Sequence, residues 1–526
     1  MRFFNTAGPC DPETHYMLPA EARLPEARVL GERRAYFVLH APRQTGKTTT
    51  LRALARALTA EGRFAALCFS CEAGEATGDD YAAAQRAVLG DIRDRAADEL
   101  PAELRPPTPW PAAEPERLLA VGLRAWAKCC PQPLVLFFDE IDALRGEGLR
   151  SVLRQLRAGY PDRPGAFPWS VVLCGLRDVR DYKAASGGDA TRLGTASPFN
   201  IKVKSLRLGD FTAAELRALY AQHTADTGQS FTEEALSLGH ELTAGQPWLV
   251  NALAREVVEE MRVPPPAPIA AEHIDRAKER LIVARQTHLD SLVARLHEER
   301  VQRVIEPLIG GGLLRTDSSY DDDLSYVRDL GLVASELPVR VANPIYREVI
   351  VRVLGSGVEG NILVEPRSFV LPDGRLDLGR LLEEFAAFWR EHGEVLAAGV
   401  GYHEVAPQLV LMAFLHRVVN SGGYVDRECG VGRGRIDLCL RWPYLAAGGQ
   451  RQWQREAVEL KVWAPGKQDP LPRGIGQLDE YLDRLGLETG VLVVFDRRPE
   501  AGPIAERTRF ERATSPKGRP VVLLRA

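Results

Sequence analysis

Apolar and polar positions alternate along this chain in a way that predicts several distinct layers. Residues 36–39, 65–69, 134–138 and 170–174 are short apolar runs of strand length,. Between them, residues 81–100 and 116–128 carry helical spacing, and the segment after Lys47 repeats Leu51, Leu54, Ala55 and Leu58 on one helical stripe,. Strands alternating with helices predict an α/β fold, a parallel sheet covered on both faces. The proline-rich stretch 106–115 is a surface excursion within it,. From residue 211 to about 262 the pattern is all helical, and the VPPPAP run ending at Pro268 cannot continue a helix,. Residues 269–354 read as helices followed by two short strands around Gly331, and within them YVRDLGLVASELPVRVANPIYREVI has the order helix, strand, turn, strand, helix expected of a winged helix. Residues 355–377 form a linker with short β pairing of its own. Residues 378–526 begin helical and turn to β strands after Gly422.

Composition narrows the picture only modestly. A chain of 526 residues is too long for one core, and 45% hydrophobic with 26% charged residues is ordinary for a globular protein,. No window approaches a membrane span, and the opening MRFFNTAGPCDPE lacks the pattern of a secretory signal, so a cytoplasmic location is the default,. Eight scattered cysteines suggest no disulfide framework,. Cys68 and Cys71 form one CxxC within a strand-like run, and adjacent Cys129 and Cys130 are a poor zinc complement, so these are expected to be buried thiols,. A net charge of −4 opposes wholesale binding to nucleic acid but permits a local basic surface,.

The first candidate chemistry is the loop Ala41, Pro42, Arg43, Gln44, Thr45, Gly46, Lys47 and Thr48, followed by Thr49. It follows a buried strand and opens a helix, the context in which a phosphate-binding loop is credible. Successive backbone N–H groups and the helix N-terminus would surround a phosphate. Lys47 would neutralise the β- and γ-phosphates of ATP, and Thr48 would ligate Mg²⁺,. Ala41 replaces the usual first glycine and adds only a methyl. The run 134–138 then delivers Asp139 and Glu140 at a strand's C-terminal end, where open α/β sheets bind ligands,. Asp139 would hold Mg²⁺ and Glu140 would polarise the attacking water.

These two motifs together resemble the AAA+/STAND group of P-loop ATPases over about residues 1–355. The resemblance implies a sensor residue after the next strand, for which Arg177 in VVLCGLRDVRDY is the candidate; a surface ion pair with Asp178 or Asp181 is the plain alternative. Gly245, Gln246 and Pro247 resemble the GxP element of STAND lids, whose proline packs near the bound base. The opening FFNTAGPCDPETHY is similar to an entry segment that covers adenine. The expected divisions are 1–30 entry, 31–210 P-loop core, 211–263 helical lid, 269–354 winged helix, 355–377 linker and 378–526 C-terminal domain. The resemblance also implies a homo-oligomer with an arginine finger in trans, to which no residue of a single chain can be assigned.

A second constellation lies near the C-terminus. Asp437 sits in the strand-like RIDLCLRW, and Glu459 and Lys461, two residues apart, face one side of another strand,. Gln477 opens a helix, and an apolar strand follows at 490–495. Two carboxylates suit Mg²⁺ or Mn²⁺, and Lys461 would orient or deprotonate a water,. This D…ExK…Q order resembles the PD-(D/E)XK nuclease superfamily over about residues 400–500, with Ile436 in place of its proline. The resemblance implies a restriction-endonuclease-like α/β domain, a metal-dependent nuclease and nucleic acid, DNA foremost, as partner. Glu404 is the nearest candidate for an extra acidic residue, and Arg433, Arg435, Arg441, Arg451 and Arg455 would add positive charge,.

Taken together these motifs point to an ATPase that regulates a nuclease, a pairing similar to prokaryotic defence proteins. A nucleotide-switched binding or signalling protein, with Asp437, Glu459 and Lys461 reduced to a structural ion cluster, stays open. The acidic SSYDDDLSY disfavours DNA binding by the winged helix, so a packing role between lid and effector is expected of it.

Overall fold

The computed structural model describes residues 2–176, 201–284, 287–310, 318–359, 369–399, 406–419, 424–431, 434–446 and 450–526. They fall into two compact units, one of Met1–His288 with Leu324–Ile345, the other of Leu289–Asp323 with Tyr346–Ala526.

The first unit is built on a five-stranded sheet in the order β2-β3-β4-β1-β5. Its strands are β1 (Tyr36–His40), β2 (Ala65–Ser70), β3 (Leu134–Asp139), β4 (Ser170–Gly175) and β5 (Lys204–Arg207). Every pairing is parallel. The pleat sends successive side chains to opposite faces, and β1 shows the result. Tyr36 and Val38 enter one core with the helices Tyr81–Glu99, Leu118–Cys129 and Gly146–Gly159. Phe37 and Leu39 enter the other with the helices Pro25–Glu32 and Lys47–Ala60. Burial on both faces explains why these strands are continuous apolar runs. β5 is absent from the sequence expectation because, as an edge strand, it buries only Leu206.

Helices Ala213–Thr227, Glu233–Thr243 and Pro247–Arg255 follow, the first opened by a capping box between Thr212 and Glu215,. The proline run does not end this unit. Ile269 N donates to Ser230 O and Thr232 N to Ile269 O, which returns the helix Ala271–Ala284 to the same body. The segment expected to form one winged helix is divided between the two units, and its strand pair is reduced to a single Val333–Val341 bridge.

The second unit carries a mixed six-stranded sheet in the order β10-β11-β9-β8-β7-β6. Its strands are β6 (Tyr424–Val431), β7 (Gly434–Leu445), β8 (Arg451–Trp463), β9 (Gly490–Asp496), β10 (Arg509–Thr514) and β11 (Pro520–Arg525). β6, β7 and β8 form an antiparallel meander, while β8, β9 and β11 run parallel. The helix Leu471–Leu485 crosses from β8 to β9 and packs Leu478 and Leu482 onto Cys439, Ala457, Leu492 and Val494. In the former linker region Val370 bridges Leu376, and the helices Leu378–Gly399 and Ala406–Val419 precede the sheet.

Candidate active sites

At the C-terminal edge of the first sheet, the loop after β1 turns sharply into the helix Lys47–Ala60. Gln44 has φ +57 and Gly46 φ +89, a left-handed turn that points backbone N–H groups into the loop,. Ala41 is fully buried within the core beneath the loop. The methyl at the position of the usual glycine is thus absorbed by the core. Lys47 Nζ donates to Ala41 O at 2.8 Å and Pro42 O at 2.7 Å. Burial lowers the pKa of this amine, with nearby Asp139 and Glu140 pulling the other way. Thr45 Oγ1 donates to Pro42 O at 3.0 Å and braces the turn.

β3 carries its terminal carboxylates to the same point. Thr48 Oγ1 donates to Asp139 Oδ2 at 2.6 Å, and Asp139 is 3% exposed. A hydroxyl and a carboxylate at that separation are two hard oxygen donors, a set that fits Mg²⁺. Glu140 adopts a left-handed backbone, φ 54 and ψ 40, uncommon for a non-glycine residue,. Ser70 Oγ donates to Glu140 Oε2 at 2.8 Å. Glu140 reaches the surface, yet partial desolvation of its carboxyl raises the pKa against that hydrogen bond.

The N-terminal residues and the helix Pro247–Arg255 pack against this loop and each other. Cys10 N donates to Thr49 Oγ1 at 3.0 Å, and Trp248 Nε1 donates to Thr6 O at 2.8 Å. Arg255 Nη1 donates to Thr6 Oγ1 at 2.7 Å. Gly245, with φ +79, lets its backbone meet Phe211, whose N donates to Gly245 O at 2.7 Å. Gln246 caps the helix begun by Pro247, accepting from Leu249 N at 2.6 Å. Asn5, Tyr16, Thr49, Pro247, Trp248 and Asn251 line one pocket together. Sequence reasoning missed Ser70, Asn251 and Arg23. Arg23 reaches Thr45 O at 3.0 Å and Gly209 O at 2.6 Å, and its guanidinium lies 4.6 Å from the Phe211 ring centre. All three belong to this site through tertiary contact, and no motif marks them. Arg177 lies outside the described residues. Of the predicted loop residues, Gln44, Thr45, Gly46 and Thr49 line that pocket, whereas Ala41, Pro42, Arg43, Lys47 and Thr48 do not; Arg43 is exposed.

The second constellation also converges. Asp437 lies one position beyond the Leu438–Val458 pair of β7 and β8, and Glu459 is its counterpart on β8. Asp437 Oδ2 accepts from Leu460 N at 2.8 Å. Lys461 Nζ lies 2.5 Å from Glu459 Oε1 and 3.7 Å from Asp437 Oδ2. Glu459 is 2% exposed, and its Oε2 is buried without a hydrogen-bond partner. Burial, then the Asp437 charge, push its carboxyl up to about 7, against the opposing pull of Lys461. A Cβ at Gly474 would lie 3.2 Å from Lys461 Cγ, so this helix face covers the lysine. Gln477, three residues on, lies in the middle of the helix Leu471–Leu485 instead of opening it, because the turn expected before it is already helical; it shares that face, and its Oε1 is likewise buried and unpartnered,. Among the described residues no three His, Cys, Asp or Glu side chains gather into a metal cluster; Asp437 and Glu459 provide two such donors. Glu404 and Arg433 fall outside the described residues, as do the side chains of Arg435 and Arg451.

A P-loop on a parallel sheet, with Asp139 beside Thr48, defines a nucleotide-hydrolysing class of protein. Residues 26–164, within the first unit, match the family model described as an AAA ATPase domain, which supports ATPase function of the AAA+ type. Among solved structures, the chain is similar to the Walker-type ATPase of Pyrococcus abyssi, at 14% identity and TM-score 0.47 over 66% of this chain and 99% of that one. It is similar to Cdc6p of Pyrobaculum aerophilum at 16% identity and TM-score 0.35, over 65% and 95% of the two chains. The RuvB Holliday junction branch migration motor of Thermotoga maritima is similar at 15% identity and TM-score 0.33, over 63% and 92%. No curated protein sequence matches the chain. No described helix is long and apolar enough to cross a membrane.

Proposed function

We propose that this ATPase regulates a metal-dependent nuclease carried by its second unit, with DNA as substrate and defence against foreign DNA as its setting. The observation that carries the reading is the buried, unpartnered Glu459 Oε2 beside Asp437 and Lys461. A buried carboxylate oxygen without a donor costs free energy, and a divalent cation held by Asp437 and Glu459 is the ligand that would satisfy it. Bound there, Mg²⁺ or Mn²⁺ would supply Lewis acidity to a phosphodiester. Lys461 supplies a positive charge and donors beside both carboxylates, enough to orient a water or a phosphate oxygen. Gln477 offers a second buried, unpartnered oxygen from the helix that covers Lys461.

The β7–β8 register supports a polyanionic substrate. Arg441 pairs with Arg455, which places both on the same face as Asp437 and Glu459,. Exposed Trp453 shares that face, its ring 5.8 Å from the Arg441 guanidinium. Basic groups with an aromatic platform suit a nucleic-acid strand.

In the first unit, Lys47 and the loop amides would bind the ATP phosphates, Thr48 and Asp139 would hold Mg²⁺, and Glu140 would accept a proton from the attacking water. Pro247, seated in the nucleotide pocket at the start of a lid helix, links nucleotide state to lid position. The test incubates the full chain with single- and double-stranded DNA and RNA, with Mg²⁺ or Mn²⁺, with and without ATP. Wild type should cut, Glu459→Ala and Lys461→Ala should not, and Lys47→Ala should change the ATP dependence alone. Cleavage retained in both second-unit variants, or absent under every condition, overturns the nuclease reading.

A further inference from the structure

Asn251 lies one turn beyond Pro247 on the lid helix, lines the nucleotide pocket and is 8% exposed. Its Nδ2 donates to Pro247 O at 2.8 Å. That bond fixes the amide's orientation, because the opposite placement would set two oxygens against each other. Oδ1 is therefore the atom left over, and it is buried without a hydrogen-bond partner. A donor on a ligand would relieve the cost of an unsatisfied amide oxygen.

The pocket's lining indicates which ligand donor this is. Gly46 and Thr49 belong to the P-loop and the first turn of its helix, where phosphate binds,. Met17, Leu219 and Trp248 make another part of the wall apolar, which suits the base,. In an adenine nucleotide the exocyclic amine at C6 is the base's only N–H donor. Hypoxanthine and guanine carry a carbonyl oxygen at the same position, which would face Oδ1 as one acceptor against another.

We propose that Asn251 Oδ1 accepts a hydrogen bond from the C6 amine of adenine and makes the ATPase selective for adenine over 6-oxopurine nucleotides. This rests on the pocket being the ATP site. The backbone bond to Pro247 gives the selection a second consequence. The amide that reads the base is anchored to the proline that begins the lid helix, so base recognition and lid position share one side chain.

The experiment titrates the full chain with ATP, ITP and 2′-deoxyATP. Wild type should bind ATP about tenfold or more tightly than ITP. In Asn251→Ser the hydroxyl can still bond back to the Pro247 carbonyl, but the amide oxygen is gone. Its ATP-to-ITP ratio should fall to within about twofold of unity while its melting temperature stays near wild type; Asn251→Leu should behave the same way towards ITP. Equal binding of ATP and ITP by wild type, or an unchanged ratio in Asn251→Ser, overturns the proposal. So does a variant that loses discrimination only against 2′-deoxyATP, since the ribose would then be the group read. Lys47→Ala should lose all three ligands. If it binds them normally, the site itself has been misidentified, which separates that failure from a failure of Asn251.

Discussion

Gly245→Ala probes the joint between lid and P-loop core, and its cost can be worked from the structure. Gly245 has φ +79, and a Cβ there would lie 1.8 Å from Phe211 O and 2.8 Å from Phe211 C. The obstacle is backbone, so no rotamer change relieves it. A non-glycine residue in the left-handed region costs about 1 kcal/mol. Moving the two strands of backbone apart would also break the 2.7 Å bond from Phe211 N to Gly245 O, about 1 kcal/mol more, and overpack the joint by roughly 1–3 kcal/mol,. The sum is about 3–5 kcal/mol. Gly228 supplies an internal control, since its φ is +73 but nothing lies within 4 Å of its Cβ position. Gly228→Ala should lose about 1 kcal/mol, the conformational part alone. Denaturant or thermal unfolding of the full chain, followed by tryptophan emission, compares the two. Gly245→Ala should also weaken ATP binding, because the helix it precedes carries Pro247, Trp248 and Asn251 into the pocket. Equal losses for the two variants would refute the close-approach argument, and full ATP affinity in Gly245→Ala would refute the link to the pocket.

Other outcomes follow from the two sites. Glu140→Gln should bind ATP normally yet lose about 100-fold or more in hydrolysis, the range for a missing general base. Ser70→Ala removes the hydrogen bond that opposes the raised pKa of Glu140, so the acid limb of the hydrolysis–pH profile should move to higher pH. Glu459 titrates up to about 7 in the folded chain against an ordinary 4.5, so the folded unit retains a proton that the unfolded chain releases. Stability should therefore fall as pH rises between those values, by on the order of 3 kcal/mol, and Glu459→Gln should flatten the slope. Mg²⁺ or Mn²⁺ should raise the melting temperature more at pH 8 than at pH 6, because a ligating carboxylate must be deprotonated, and Glu459→Gln should abolish the effect. Arg455→Ala should weaken nucleic-acid binding and reduce its salt dependence, measured by fluorescence anisotropy over a salt series.

The strands β1 to β4 were legible because each is buried on both faces and must be apolar throughout. β5 was not, since an edge strand with one buried leucine carries almost no pattern. Lys47, Thr48, Asp139 and Glu140 were legible because a phosphate loop and a terminal acidic pair are local arrangements of consecutive residues. Ser70, Arg23 and Asn251 were invisible for the opposite reason. Their contacts join residues distant in the chain, as with Ser70 and Glu140 or Arg23 and Thr45. The proline run predicted a domain boundary because prolines end helices, but the Ile269 bonds to Ser230 and Thr232 return the chain to the same unit. Local chemistry can stop a helix without deciding where the chain goes next.

By itself the sequence determined the periodicity of the strands and helices, the phosphate loop and the identity of the acidic residues, because each is written in neighbouring positions. Only the tertiary structure decided that Ser70 meets Glu140, that Arg23 reaches Thr45 and Asn251 joins the pocket beside the P-loop, and that Glu459 is buried with one oxygen unsatisfied. Burial and partner choice depend on which surfaces pack together. That is set by the sum of many weak, long-range contacts, and no single motif contains it.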